Sequence, residues 1–143
     1  MKERLVGAWV LCAWRIHDPG RPEPSLPFGP KPEGLLVYSA DGWMSAVVCR
    51  AGRAPFPPGN SPRTLDAGIL ADAFRSYFHY AGPYRVEEGR IIHAVHYSLN
   101  PSMVGTEQVR LPRFDRDRLT LVGEEPLPAG LRRHELEWRR AAD

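Results

Sequence analysis

Of the five histidines in this 143-residue chain, His93 stands apart because Ile91 and Val95 flank it at two-residue spacing. On a strand that spacing places all three side chains on one face. An imidazole on a buried wall is kept neutral by desolvation and then offers one donor and one acceptor nitrogen. Such a group can orient a carbonyl or move a proton. The same alternation gathers Leu36 with Tyr38, Met44 with Ala46 and Val48, Tyr84 with Val86, and Tyr97 with His93. Tyrosine hydroxyls beside an imidazole serve equally to stabilise enolate charge or to complete a static hydrogen-bond network.

Other chemistries find little support. His93 and His96 lie three apart, which on a strand sends them to opposite faces, so no metal site is expected. Cys12 and Cys49 have neither CxxC spacing nor neighbouring histidines, and they read as reduced, half-buried thiols. There is no Gly-rich phosphate loop, no HExxH and no nucleophile elbow, so no cofactor is expected. The formal charge is only +2, from 17 Arg and 2 Lys against 17 acids without a basic block, which gives nucleic acid no electrostatic hold. No apolar run approaches the ~18 residues of a membrane span, and Met1 to Arg4 do not open a secretory leader. A cytoplasmic protein without a membrane partner is expected, and its state, monomer or homodimer, is left open.

These residues need strands to position them. Eight are expected, Ala8–Ile16, Gly34–Ser39, Trp43–Arg50, Gly82–Glu87, Arg90–Leu99, Thr106–Phe114, Arg118–Val122 and Arg132–Arg139. Ala40-Asp41-Gly42, Glu87-Glu88-Gly89 and Asp115-Arg116-Asp117 carry hairpin-turn chemistry and make their neighbours antiparallel. Two Pro-rich stretches, 18–32 and 54–62, forbid regular pairing and read as loops at a barrel rim. Between strands three and four, Leu65, Ile69, Leu70, Ala73, Phe74, Tyr77 and Phe78 recur at helical spacing, with Thr64 or Asp66 as cap and Gly82 at the exit. A helix that short must rest on the barrel wall or plug an open end. The expectation is an all-β chain: one domain, residues 1–143, an eight-stranded antiparallel barrel with one helix between strands 3 and 4.

The first strand opens on Gly7-Ala8-Trp9 and the last closes on Trp138-Arg139-Arg140, which resembles the lipocalin and calycin signature. That resemblance implies that Trp9 closes one barrel end with Arg139 or Arg140 packed across it. Gly34-Leu35-Leu36-Val37-Tyr38, Asp41-Gly42-Trp43-Met44-Ser45-Ala46, Ile91-Ile92-His93-Ala94-Val95 and Ser98-Leu99-Asn100-Pro101, followed by Val104-Gly105-Thr106, Gln108 and Arg110, are similar to the bacterial lipocalin-like domain family. The chain departs from that pattern at Ala94, where a second histidine is common, at His96, where an acid is common, and at Met103, where a tryptophan is common. Chemistry needing a His pair or a His–acid pair is thereby put in doubt.

On the sixth expected strand neither Thr106, Gln108 and Arg110 nor Glu107, Val109 and Leu111 form a plainly apolar face. The resemblance turns Gln108 and Arg110 inward. An inward Arg calls for an anionic partner. The sequence therefore predicts a lumen lined by Leu36, Met44, Ala46, Val95, Tyr97 and Gln108, holding a small, largely apolar metabolite with a carbonyl or carboxylate group. His93, Tyr38, Tyr84 and Arg110 are the catalytic candidates if the protein is a cofactor-free isomerase or cyclase. The alternative is a non-catalytic carrier of a lipid-like or polyketide-like ligand. A structural subunit with a solid core is a third reading, with Trp43 its only exposed-patch candidate.

Overall fold

A computed structural model describes residues 1–142. A four-residue helix α1 (Lys2–Leu5) precedes strand β1 (Gly7–His17), followed by β2 (Glu33–Tyr38), β3 (Trp43–Cys49), helix α2 (Ala67–Arg75), β4 (Tyr77–Glu87), β5 (Arg90–Ala94), β6 (Tyr97–Ser98), β7 (Glu107–Asp115), β8 (Arg118–Leu127) and β9 (Gly130–Arg140). All pairings are antiparallel, in the order β3-β2-β1-β9-β8-β7-β5-β4, and β3 pairs with β4 to shut the ring. The result is a closed eight-stranded antiparallel barrel with one helix between β3 and β4, as expected from the sequence. β6 is a two-residue addition to β4. The three turns named above form the β2–β3, β4–β5 and β7–β8 hairpins, and Gly42, Gly89 and the non-glycine Glu88 and Arg116 supply their left-handed φ values.

One barrel end is sealed. Trp9, 1% exposed, donates its indole N–H to the Leu5 carbonyl at 2.8 Å, fixing α1 beneath it. Arg140 lies 3.8 Å from the Trp9 ring centroid and donates to the Val6 and Arg4 carbonyls at 2.8 and 2.6 Å. Arg140, rather than Arg139, makes the closure. It joins first and last strands by charge, stacking and hydrogen bonds together.

The other end is rimmed by loops 18–32 and 50–66, α2 and the 95–106 segment. α2 is shorter than the expected apolar spacing, because Tyr77 and Phe78 belong to β4, whose pairing with β3 begins at Cys49↔Tyr77 rather than near Gly82. Ladder hydrogen bonds outweigh a helical spacing that two residues satisfy equally well as strand. α2 packs mainly on β4 and contains no buried residue. It sits at the rim without filling the opening.

Two one-residue slips correct the simple alternation. Between β1 and β9 the register shifts at Cys12, so that the inward set Trp9 and Leu11 continues at Trp14 rather than Ala13. Between β5 and β6 the pairing with β4 passes from Tyr84↔His93 to Ala81↔Tyr97, one residue out of step. Tyr97 is therefore turned outward and is 67% exposed. The expectation that Tyr97 lines the lumen is corrected.

Candidate functional site

β4, β5 and β7 bring the polar wall together. Tyr84↔His93 and His93↔Gln108 are cross-strand partners, and Ile91↔Arg110 is the next inward pair. On β7 the exposed positions alternate with half-buried Gln108, Arg110, Pro112 and Phe114, which settles the ambiguous face inward at Gln108 and Arg110.

The barrel encloses a cavity of about 450 Å³ that opens at the loop end. Its apolar wall includes Leu36, Ala46, Val48, Phe78, Leu121 and Trp138, and its polar wall includes Tyr80, His93, Gln108 and Arg110. The volume lies within the range of small-molecule pockets. Among the sequence candidates, Leu36, Ala46, Gln108, His93 and Arg110 line this space. Met44 and Val95 are buried in the surrounding core instead. Tyr84 packs edge-on against Tyr38 at 4.8 Å and donates its hydroxyl to the Ser39 carbonyl at 2.8 Å, so it closes the sealed half rather than facing the cavity.

His93, 1% exposed, sits between two tyrosines. Its Nε2 is 2.7 Å from the Tyr38 hydroxyl and its Nδ1 is 2.6 Å from the Tyr80 hydroxyl. Burial, reinforced by the positive Arg110, pushes the imidazole pKa down to about 3, so the ring is neutral at physiological pH. Burial raises both tyrosine pKa values, and for Tyr80 the neighbouring Arg110 guanidinium partly opposes that effect.

Tyr80 was not among the sequence candidates. The signal was present, since Phe78, Tyr80, Gly82 and Tyr84 alternate, but the helical spacing of the preceding residues overlaps it. Trp14, Trp138 and Gly123 were missed too. Gly123 matters by its bareness: a Cβ there would stand 2.8 Å from Arg110 Nη1, so the glycine leaves the guanidinium room to lie against β8.

Glu124, Glu125 and His134 stand at the mouth, where His134 meets Glu125 at 3.2 Å. Trp14 packs edge-on against Phe28 of the first Pro-rich loop at 5.1 Å. No group of three His, Cys, Asp or Glu side chains among the described residues is arranged to hold a metal ion. No described helix is long and apolar enough to cross a membrane.

A family model described as "Lipocalin-like domain" matches residues 6–141. No curated protein matches the chain. A crystal structure of a mutant of the fluorescent protein UnaG aligns over 100% of both chains at 10% identity, with a TM-score of 0.42.

Proposed function

We propose, from the premise that this chain belongs to the lipocalin-like domain family, that it is a non-catalytic carrier: it holds a small, largely apolar molecule bearing a carbonyl or carboxylate group in the barrel lumen. One observation carries this reading. His93 stands in the wall of the 450 Å³ cavity with both ring nitrogens already engaged by tyrosines, at 2.7 and 2.6 Å.

An isomerase or cyclase mechanism with His93 as acid/base needs a nitrogen aimed at the ligand and a pKa near the working pH. Here the imidazole has no free nitrogen and its pKa is about 3. His93 is therefore a positioning residue, and Tyr38 serves with it. The apolar wall supplies most of the binding free energy, at roughly 25 cal/mol per Å² of apolar surface removed from water.

The neutral fluorophore 1-aminoanthracene tests the reading. It should bind saturably at one site per chain, and Ala46→Phe, which fills the cavity wall, should abolish binding while the far-ultraviolet circular dichroism spectrum stays that of a barrel. Native mass spectrometry of freshly purified protein should find a co-purified small molecule. Non-saturable binding that survives Ala46→Phe would overturn the proposal.

A further inference from the structure

Buried polar atoms have to be satisfied by something, and on the lumen wall the protein does not satisfy all of them. Trp138 lines the cavity and is 2% exposed, yet its indole N–H has no partner among the described residues. The indole N–H of Trp14, on the same cavity, is likewise buried without one. Both groups can only donate. Arg110 donates to the carbonyl of its own neighbour Val109 at 2.9 Å, and no carboxylate among the described residues forms an ion pair with it.

The Tyr38–His93–Tyr80 chain adds one more donor, by elimination. A neutral imidazole has one N–H and one lone pair. The Tyr38 hydroxyl is fully buried, and among the described residues its one hydrogen-bond partner is His93 Nε2. If Nε2 carried the proton, the Tyr38 proton would be left buried without an acceptor, at a cost of about 1–3 kcal/mol. Tyr38 therefore donates to Nε2, and the ring proton sits on Nδ1. Nδ1–H then donates to the Tyr80 oxygen, and the Tyr80 proton is free. Tyr80 lines the cavity, where an acceptor atom of a bound molecule can take that proton's hydrogen bond.

We infer that the lumen contains a carboxylate-binding subsite, with the Arg110 guanidinium and the Tyr80 hydroxyl as its donors and the Tyr38–His93 pair fixing Tyr80 as a donor. The inference rests on the carrier reading and narrows it from carbonyl or carboxylate to carboxylate. Gly123 is a positioning residue: it keeps the guanidinium where Tyr80 can share its anion.

The test displaces 1-aminoanthracene with dodecanoate, methyl dodecanoate and dodecanol. Dodecanoate should compete at least roughly tenfold better than either neutral analogue, since a hydrogen bond to a charged group exceeds one between neutral groups. Arg110→Met should weaken dodecanoate by roughly 10- to 100-fold more than it weakens dodecanol, and Tyr80→Phe by about tenfold more. Gly123→Ala, which displaces the guanidinium without removing its charge, should fall between wild type and Arg110→Met. In ¹⁵N spectra of histidine-labelled protein, the His93 signal, assigned by its loss in His93→Gln, should have Nδ1 protonated and Nε2 unprotonated. Equal competition by acid, ester and alcohol, or protonation at Nε2, overturns this inference and leaves the carrier reading standing. Failure of 1-aminoanthracene to bind saturably overturns both.

Discussion

The two ends of this barrel are made of similar residues put to opposite use. At the sealed end Trp9 gives its indole N–H to Leu5, Tyr84 its hydroxyl to Ser39 and Arg140 its guanidinium to Val6 and Arg4. Toward the open end Trp14, Trp138, Tyr80 and Arg110 are again two indoles, a phenol and a guanidinium, all on the cavity wall, and the two indole N–H groups find no acceptor among the described residues. A satisfied donor holds the fold together, whereas an unsatisfied one lowers stability until something accepts from it. Residue type therefore does not identify the site.

The largest expected effect lies at the seam between the halves. Gly82 is on β4 between Tyr80 and Tyr84, and the Ala94 carbonyl oxygen occupies the space a Cβ would need. That contact is backbone against backbone and cannot be relieved by a rotamer change. Gly82→Ala should destabilise the barrel by at least ~4 kcal/mol or prevent folding, read by urea denaturation. A folded, ligand-binding Gly82→Ala variant would break the account of how β4 hands over from β5 to β6.

Next, Trp9→Ala should cost about 3–5 kcal/mol by the same measurement, because it deletes a buried anchor and leaves the Leu5 carbonyl and Arg140 without it. The partial counterpart Arg140→Met, which keeps the aliphatic stem, should cost ~1–2 kcal/mol. Equal losses from Trp138→Phe and Trp9→Phe would contradict the comparison, since only the Trp9 N–H has a protein partner to lose.

A further effect is set by pH. His93 faces Tyr38 and Tyr80 across the wall, with Arg110 as the nearby charge. Its pKa is about 3 folded against an ordinary 6.5, so between those values the unfolded chain binds a proton that the folded one refuses. This contribution is intact above pH 6.5 and is lost as pH falls toward 3, with a slope of up to about 1.4 kcal/mol per pH unit. Denaturation midpoints between pH 6.5 and 4 should fall less steeply in His93→Gln. Identical slopes would place His93 in solvent. The smallest effect is expected of Tyr97→Ala, which should change stability by less than about 0.5 kcal/mol and 1-aminoanthracene binding not measurably, because its ring lies outside the wall.

How far the sequence could be read follows from where period-two counting survives. From Leu36 to Val48 and from Tyr84 to His93 the strands pair without interruption, and their inward sets are those that alternation names. The hairpin turns and the end closure by Trp9 were legible because each depends on a few residues with special backbone or shape. Tyr97 and Trp14 were not, because each stands beyond a one-residue slip, and a slip depends on pairing with a distant strand. Tyr80 was lost to an overlap, since its neighbours fit helix and strand alike until β3 claims them. The missing donors' partners could not be read at all: satisfaction is a property of three-dimensional neighbours.

The poorly anchored α2 has a consequence for timescales. A rim segment with no buried residue separates from the barrel at a small fraction of the free energy of global unfolding, so its amides should exchange with solvent well ahead of those in the barrel strands. Local opening at α2 and resistance to heat are then governed by different parts of the chain. Substitutions on α2 can hasten or slow that exchange while the melting temperature, set by the Trp9 seal, stays where it is.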